Sequence, residues 1–501
     1  MSKGPRVPSA KWHPGVFVCC LYAVELWLVL AFVALYKKGD RTLAAFANSR
    51  SGVFVILAVA GFAVTSAVAV LAARRGRLRP RWISTMSLLN VLSLSIAFVT
   101  AEVAIRVLSV DSVEGPRFAG TLLLPREWER IAMVTRATLA RASATVSYLV
   151  FDPELGWTVG ASRHSGPYNR QVAQSLSAPL ERATQNVFMR EQRATIARDT
   201  LLYISNGAGL RSPSVGTNFA DTRARHRIAL VGDSFTFGLE VRYEDTWGHR
   251  LEMAMGPEYQ VLNFGVDGFG VDQAVRRYER DVVQWKPDIV VLSVINSDLR
   301  RTMCVYGFLC FAGAAIPFPK PRLVLAGDTL VQLNAPLPRP ESLLVRTHAA
   351  SELPFIAFDA SYDPAEWDRR FLDHSFVLRL LFSRERPWTR IRPEISDAAL
   401  QDVNGLLFRS FMARVRARGS IPIVVFFPSM NDFLSESQGR RSVAKDVLRR
   451  HHVPFIDMTE CVSRIDSRTR FVVLHYSAAT NAAVARCLHE RLVALPRDQA
   501  H

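Results

Sequence analysis

The residues best suited to chemistry lie in a short segment at 231–238 (VGDSFTFG). Ser234 follows an apolar run at 227–231 (RIALV) that predicts a buried strand. A serine just beyond the carboxyl end of a strand lies where α/β sheets present reacting groups, and its N–H is able to face a substrate oxygen. Its hydroxyl would act as a nucleophile once a base removes its proton. The tripeptide Gly-Asp-Ser alone is weak evidence, because it is also common in turns.

Further segments with glycine-rich or polar turns accompany this serine. They are 152–157 (DPELGW), 205–211 (SNGAGLR), 261–273 (VLNFGVDGFGVDQ), 286–298 (KPDIVVLSVINSD) and 474–485 (LHYSAATNAAVA). An ordered set of five such segments rarely arises by chance.

The elements that must position these residues alternate between strands and helices. Apolar β-branched runs predict strands at 227–231, 289–294 and 421–427, and amphipathic patterns predict helices at 272–285, 403–418 and 481–495. This alternation predicts an α/β layered domain with a parallel sheet. We expect a lead-in subdomain at 111–225 and the main domain at 226–501. A Pro-rich insert at about 302–395 interrupts the rhythm.

Three apolar stretches precede this part, at 16–36, 53–73 and 82–101. Each has the ~20 residues that a helix needs to cross a bilayer. They predict a membrane anchor at 1–110 with three transmembrane helices. The N-terminus and the second loop carry eight basic residues against four in the first loop, which favours an inside N-terminus and an outside remainder. Glu25 is either a functional carboxylate within the first span or a residue packed between helices.

The composition excludes several classes of protein. Hydrophobic residues make up 49% of the 501 residues, too many for a disordered chain. The net charge of +17 comes without a basic-aromatic module, so we expect no nucleic-acid partner. No zinc spacing, P-loop or dinucleotide fingerprint is present, and we expect no metal and no cofactor.

Together the motifs resemble the SGNH (GDSL) hydrolase superfamily, over roughly residues 150–300 and 400–495. The resemblance implies a flavodoxin-like three-layer α/β/α domain. It implies that Ser234 is the nucleophile and that His475 is its base. It also implies an oxyanion hole at the N–H groups of Ser234 and Gly268, completed by a side-chain amide from the third block.

Two positions depart from the family pattern. The family Asp that orients the histidine would fall at Val472 or Val473. Another carboxylate replaces it, a backbone carbonyl does, or the site is a Ser–His dyad. In the third block the order is Asn296-Ser297-Asp298, where the family has Asn directly before Asp. Either Asn296 supplies the amide after a local shift, or Ser297 replaces it more weakly.

Four cysteines lie beyond the apolar stretches, and we expect the pairs Cys304–Cys310 and Cys461–Cys487. Disulfides persist outside the bacterial cytoplasm. The second pair would steady the loop that carries His475.

The leading hypothesis is a multi-pass protein of the bacterial inner membrane with its SGNH domain on the periplasmic side. It would be a serine esterase acting on acyl esters, acetyl esters first among them, of an extracytoplasmic glycan or lipid. One alternative is an O-acyltransferase that modifies a cell-surface polysaccharide with a membrane acyl-carrier partner. A second is a non-catalytic glycan-binding protein.

Overall fold

The computed structural model describes residues 80–144, 147–165, 203–311, 315–383, 395–436 and 441–494. Their strands are β1 (Val110–Ser112), β2 (Gly115–Phe118), β3 (Thr121–Leu122), β4 (Leu149–Asp152), β5 (Gly156–Val159), β6 (His226–Val231), β7 (Tyr259–Asn263), β8 (Ile289–Val294), β9 (Leu323–Ala326), β10 (Thr329–Gln332), β11 (Ile421–Phe426) and β12 (Phe455–Asp457).

The helices of this part are α1 (Pro80–Leu108), α2 (Trp128–Ala144), α3 (Ser234–Phe237), α4 (Trp247–Met255), α5 (Val271–Arg277), α6 (Asn296–Arg301), α7 (Gly307–Cys310), α8 (Pro340–Arg346), α9 (Pro364–Trp367), α10 (Phe376–Phe382), α11 (Asp397–Ala417), α12 (Met430–Glu436), α13 (Val443–Arg450), α14 (Thr459–Ser463) and α15 (Ala478–Val493). A wider turn at Tyr278–Val282 and a tighter one at Val283–Trp285 extend α5. Other single tight turns lie at Tyr243–Asp245, Ala350–Glu352, Ile356–Phe358 and Phe371–His374.

A five-stranded parallel sheet organises the larger part of the structure, with the strand order β12–β11–β8–β6–β7. Numbered along the chain within the sheet, this is the order 2-1-3-4-5 of the flavodoxin-like doubly wound fold. The register pairs Leu230 of β6 with Val291 of β8 and with Asn263 of β7. The predicted α/β class with a parallel sheet is therefore confirmed.

Helices cover both faces of this sheet, because its central strands are apolar on both sides. All six residues of β8 are buried. On one face α4 and α15 pack together over a core that includes Leu230, Val291, Val425, Trp247 and Leu488. On the other face α11 contacts α5, α13 and β11. This gives the predicted three layers, and the strands and helices predicted from the apolar patterns are all present.

The chain divides into two compact units. One comprises Met1–Glu127 and Asp363–Arg390, and the other comprises Trp128–Tyr362 and Ile391–His501. In the first unit α1 and α10 are in contact, and Glu102 accepts hydrogen bonds from the first N–H groups of α10. The segment predicted as one insert is thus shared between the two units. The sheet and every residue of the candidate site belong to the second unit.

The membrane spans find no support in the described residues. Among them, no helix combines the length and the apolar character needed to cross a bilayer. The third predicted span, residues 82–101, lies within α1 and is therefore helical, but its role as a membrane span is not supported. The first two, residues 16–36 and 53–73, and Glu25 within the first, lie outside the described residues.

Both expected disulfides are formed, Cys304–Cys310 and Cys461–Cys487. The first joins the connection that follows α6 to the last residue of α7. The second joins α14 to α15, so it closes the loop that carries His475 between two helices of the core.

Replacing Cys461 and Cys487 together by serine is expected to lower the free energy of unfolding by about 3 kcal/mol. The reason is that this cross-link spans 26 residues of chain and restricts the unfolded state accordingly. Urea unfolding of the full chain without reductant measures the change. The matched double variant at Cys304 and Cys310, which spans 6 residues, should lose less, about 2 kcal/mol. Equal midpoints for wild type and the first variant would contradict the prediction.

Candidate active site

The turn after β6 holds Ser234 in one position. Gly232 has φ 155°, and a Cβ there would lie 2.7 Å from the backbone oxygen of Ser293, so no larger residue fits. Asp233 caps α3 by accepting the N–H of Phe235 at 2.9 Å. Ser234 is the first residue of α3 and is 3% exposed. Strand, glycine and cap together place its hydroxyl at the carboxyl edge of the sheet.

His475 meets this serine from the other end of the chain. The distance from its Nε2 to the hydroxyl oxygen of Ser234 is 2.9 Å. The imidazole packs beside the ring of Phe235, with centroids 5.0 Å apart, and its side chain is 13% exposed. Ser477 begins α15 directly after this loop by capping it. The structure thus brings the two predicted residues together, within hydrogen-bonding distance.

Glu240 supplies the carboxylate that is missing at Val472. Its Oε1 lies 2.9 Å from Nδ1 of His475. Its other oxygen accepts the backbone N–H groups of Val473, Leu474 and His475 at 2.8, 3.1 and 3.1 Å. Glu240 therefore orients the imidazole ring and also anchors the loop that carries it. Of the three alternatives left open by the sequence, another carboxylate is the one that the geometry supports.

The backbone at Glu240 is held in an unusual conformation. Its φ is 68°, which costs a residue with a Cβ roughly 1–2 kcal/mol. Its N–H donates to the hydroxyl of Tyr203 at 2.8 Å. The guanidinium of the buried Arg211 lies 4.6 Å from the ring of Tyr203 and packs it in place. The segment at 203–211 therefore supports the carboxylate from behind.

The charges of His475 and Glu240 stabilise each other. Burial alone would lower the pKa of His475, but the Glu240 carboxylate, together with the weaker effects of Asp267 and Asp233, offsets this, and the net effect is a raised pKa. Burial likewise favours neutral Glu240. The imidazole and the backbone N–H groups of Val473 and His475 outweigh it and hold the pKa of Glu240 below its ordinary value. Glu240 is thus an anion over the working range, and it favours the imidazolium that forms when Ser234 loses its proton.

Two backbone N–H groups are available as oxyanion donors, those of Ser234 and Gly268. Ser234 begins a helix, where N–H groups have no helical acceptor. Within the described part of the chain, Gly268 likewise has no backbone acceptor for its N–H. Gly268 has φ 76°, and a Cβ there would collide with Ile316 and lie 2.9 Å from Phe311. The glycine is therefore required at the position that the resemblance assigned to it.

The amide of Asn296 is committed to neighbouring loops. Its nitrogen donates to Asp432, and its oxygen accepts from the hydroxyl of Ser442 and the N–H of Ala444 at 2.9 and 2.8 Å. No contact joins it to Ser234 in the described residues, so its role as an oxyanion donor stays a prediction without support. The neighbouring Ser297 is partly exposed, and its hydroxyl has no partner in that same part of the structure.

Substitution distinguishes these two side chains. If Ser297 replaces Asn296 as the third oxyanion donor, Ser297→Ala lowers kcat by about 10-fold or more, with little change in thermal stability. Asn296→Ala is expected to lower stability by about 1–3 kcal/mol, because it leaves the N–H of Ala444 without its acceptor. Steady-state kinetics and thermal melts of both variants measure this. A larger loss of kcat in Asn296→Ala at equal stability would restore the original prediction.

Arg301 joins the three loops of the site. Its Nη1 donates to Asp233, Asp298 and the backbone oxygen of Phe269 at 3.2, 2.6 and 3.1 Å. Burial, followed by the nearby Asp233 carboxylate, raises the pKa of Asp298 well above its ordinary value. Arg301 offsets this repulsion between the two acids. Asp233 therefore holds the loop and is not placed to act as a catalytic acid.

Several of these residues were missed in the sequence. Glu240 had a visible signal, since it is an acidic residue between the apolar Leu239 and Val241, directly after the serine turn. Tyr203 and Arg301 had none, because a tyrosine in a loop and an arginine on a polar helix are common in any sequence. No cluster of three or more potential metal ligands occurs among the described residues.

No protein-family model matches the chain, and none of the curated proteins compared with it is similar. Solved structures similar to it include a putative lipolytic protein of the G-D-S-L family from Desulfitobacterium hafniense, at 12% identity and a TM-score of 0.28, covering 53% of this chain and 98% of that one.

Two further structures are similar over the same extent. A lipase/acylhydrolase from Enterococcus faecalis is 15% identical, with a TM-score of 0.26, and covers 53% of this chain and 96% of its own. A carbohydrate acetylesterase from Sinorhizobium meliloti is 12% identical, with a TM-score of 0.27, and covers 54% and 100%. Similarities of this size assign no activity. The chain is similar, over about half its length, to proteins that carry the GDSL name indicated by its motifs.

Proposed function

We propose that this protein is a serine ester hydrolase of the SGNH type that removes acyl groups, acetyl first among them, from a carbohydrate or lipid ester. One observation carries the proposal: the hydroxyl of Ser234, the ring of His475 and the carboxylate of Glu240 form a continuous chain with two contacts of 2.9 Å. In this arrangement the serine can lose its proton and the resulting imidazolium is stabilised.

The proposed reaction runs in two steps. The hydroxyl oxygen of Ser234 attacks the ester carbonyl while its proton passes to Nε2 of His475, and the oxyanion is held by the N–H groups of Ser234 and Gly268. The carbon–oxygen bond to the alcohol then breaks, and His475 returns the proton to that alcohol. A water molecule next attacks the acyl-serine, again through His475, and releases the acid and free Ser234.

The direct test is hydrolysis of 4-nitrophenyl acetate by the full chain purified in detergent. Release of nitrophenol should exceed that of the heat-unfolded chain at equal concentration by several orders of magnitude. The matched amide, 4-nitroacetanilide, should react far more slowly because its leaving group is poorer. Folded protein that cleaves the ester no faster than the unfolded control would contradict the proposal.

The two disulfides support a location outside the cytoplasm. Disulfides persist in oxidising compartments and are rare in the bacterial cytosol. We place the protein at the inner membrane, anchored by its N-terminal apolar stretches, with the catalytic unit on the periplasmic side. Alkaline phosphatase fused to the C-terminus, active only after export, should be active in cells. A fluorescent cytoplasmic reporter at the same position that is bright, with an inactive phosphatase fusion, would contradict this placement.

A further inference from the structure

Asp267 stands beside the reacting groups, yet the reaction described above does not use it. It directly precedes Gly268, whose N–H is an oxyanion donor. The loop is fixed to the nucleophile turn by the hydrogen bond from the N–H of Val266 to the oxygen of Gly232, at 3.1 Å. From the other side, the indole N–H of Trp157 donates to the backbone oxygen of Asp267 at 2.8 Å. The backbone of Asp267 is therefore held in place at the edge of the site.

The carboxyl group of Asp267 is also oriented. One oxygen accepts the hydroxyl of Tyr148 at 2.9 Å. The ring of Tyr148 stacks on Phe237 of α3, with centroids 5.4 Å apart, so the phenol is fixed as well. Asp267 is partly exposed, and its second oxygen has no hydrogen-bond partner within the described part of the chain. One side of the carboxyl group is thus built into the protein and the other is open.

The charged groups around Asp267 belong to the candidate active site. Burial raises the pKa of this carboxyl above its ordinary value, although His475, the hydroxyl of Tyr148 and Arg301 act to lower it. A negative charge next to an oxyanion donor opposes the negative charge that develops on the substrate. The ester reaction alone therefore gives no reason to place an acid here.

The chemistry of a carboxyl group suggests what it contacts. In either protonation state it accepts a hydrogen bond from an alcohol hydroxyl, and this satisfies the open oxygen. An alkyl chain in the same place would bury that oxygen without a hydrogen-bond partner, which is unfavourable. Phe311 and Ile316, which pack on the adjacent Gly268, are both apolar.

We propose that Asp267 is a specificity-determining residue that binds a free hydroxyl group of the substrate's alcohol part, near the ester being cleaved. This rests on the proposed ester hydrolysis and narrows it: the substrate is an ester whose alcohol part keeps a free hydroxyl group, as a partly acylated carbohydrate does. Tyr148 is its positioning residue, because it holds one carboxyl oxygen and leaves the other for the sugar.

The test compares two acetate esters of one sugar. Methyl glucoside with a single acetyl group has free hydroxyls next to the ester, and the fully acetylated methyl glucoside has none. The quantity measured is the ratio of kcat/KM for the first substrate to kcat/KM for the second, with the full chain. Asp267→Ala should lower this ratio by about 10- to 100-fold, as expected for the loss of one hydrogen bond to a charged group.

Two further variants separate binding from a change in folding. Asp267→Asn keeps the size and one acceptor oxygen, so its ratio should fall less than that of Asp267→Ala. Tyr148→Phe, which frees the carboxyl group to rotate, should lower the ratio in the same direction by a smaller factor. Thermal melts show whether each variant is folded.

Each outcome decides the point. A ratio that stays within about 2-fold of wild type in folded Asp267→Ala, whatever the absolute rates, overturns the inference and leaves the ester hydrolase standing. So does a wild-type enzyme that prefers the fully acetylated sugar. Folded wild type that cleaves neither sugar nor 4-nitrophenyl acetate overturns the proposed function, and the inference with it.

Discussion

Ser234→Ala is expected to lower kcat for 4-nitrophenyl acetate by ~10,000-fold or more, with a small change in KM. In the proposed reaction the hydroxyl oxygen of Ser234 forms the bond to the acyl carbon, and it is this hydroxyl that lies 2.9 Å from Nε2 of His475. Removing the nucleophile of a serine hydrolase lowers kcat by a factor of this order, and the remaining catalysis comes from the oxyanion donors and from substrate binding.

The control for this variant is Ser214→Ala, at an exposed serine of the second unit. It should keep the wild-type rate and the wild-type melting temperature. Ser234→Ala should also remain folded, since the serine loses only its contacts with His475 and, at 3.4 Å, with Asp233. A folded Ser234→Ala protein with more than a tenth of wild-type kcat would show that this serine is not the nucleophile.

Glu240→Gln is expected to lower kcat by about 1,000- to 10,000-fold. Three N–H groups converge on one carboxylate oxygen, so an amide nitrogen is disfavoured at that position. The amide nitrogen then faces Nδ1 of His475, and a donor there forces the ring proton onto Nε2. That tautomer cannot accept the proton of Ser234. The matched control is Glu244→Gln, an exposed acid four residues further along, which should keep the wild-type rate.

The pH dependence of the same variant tests the electrostatic part of this account. His475 must be neutral to act as a base, so kcat/KM rises with pH as the imidazolium loses its proton. Burial lowers the pKa of His475, and the Glu240 carboxylate raises it above the ordinary value, so the wild-type rise lies on the alkaline side of an ordinary histidine.

Without the Glu240 carboxylate, burial is opposed only by the weaker effects of Asp267 and Asp233, so the rise should move to lower pH in Glu240→Gln. The residual activity of the variant, followed from pH 5 to pH 9, measures this shift. Glu240→Asp, which retains the charge, should move it less. A rise at unchanged pH in Glu240→Gln would mean that this carboxylate does not set the protonation of His475.

The framework of the fold could be predicted because its strands are buried on both faces. Runs such as Ile289–Val294 are apolar throughout, and amphipathic helices separate them, so the sequence alone indicates a covered parallel sheet. The position of Ser234 follows from the same pattern, since the turn after β6 has no freedom at Gly232. Fold class and nucleophile therefore depend on local sequence.

The rest of the site depends on contacts between distant parts of the chain. Glu240 and His475 are 235 residues apart, and only the folded sheet brings them together. A search confined to residues near the histidine finds Val472 and no acid. The third block illustrates a different limit. There, Asp298 accepts the N–H of Ile295 at the start of α6. The side chain of Asn296 is hydrogen-bonded to another loop, at Ala444.

The most direct test of the central claim, that Ser234 is activated by His475 and Glu240, is covalent labelling with a fluorophosphonate. Such reagents phosphonylate a serine only where a base activates it, with loss of fluoride. Mass spectrometry of the labelled full chain should show one adduct, on the peptide that contains Ser234, formed much more slowly in Glu240→Gln. A folded wild-type protein that forms no adduct, or forms it on another serine, would contradict the account.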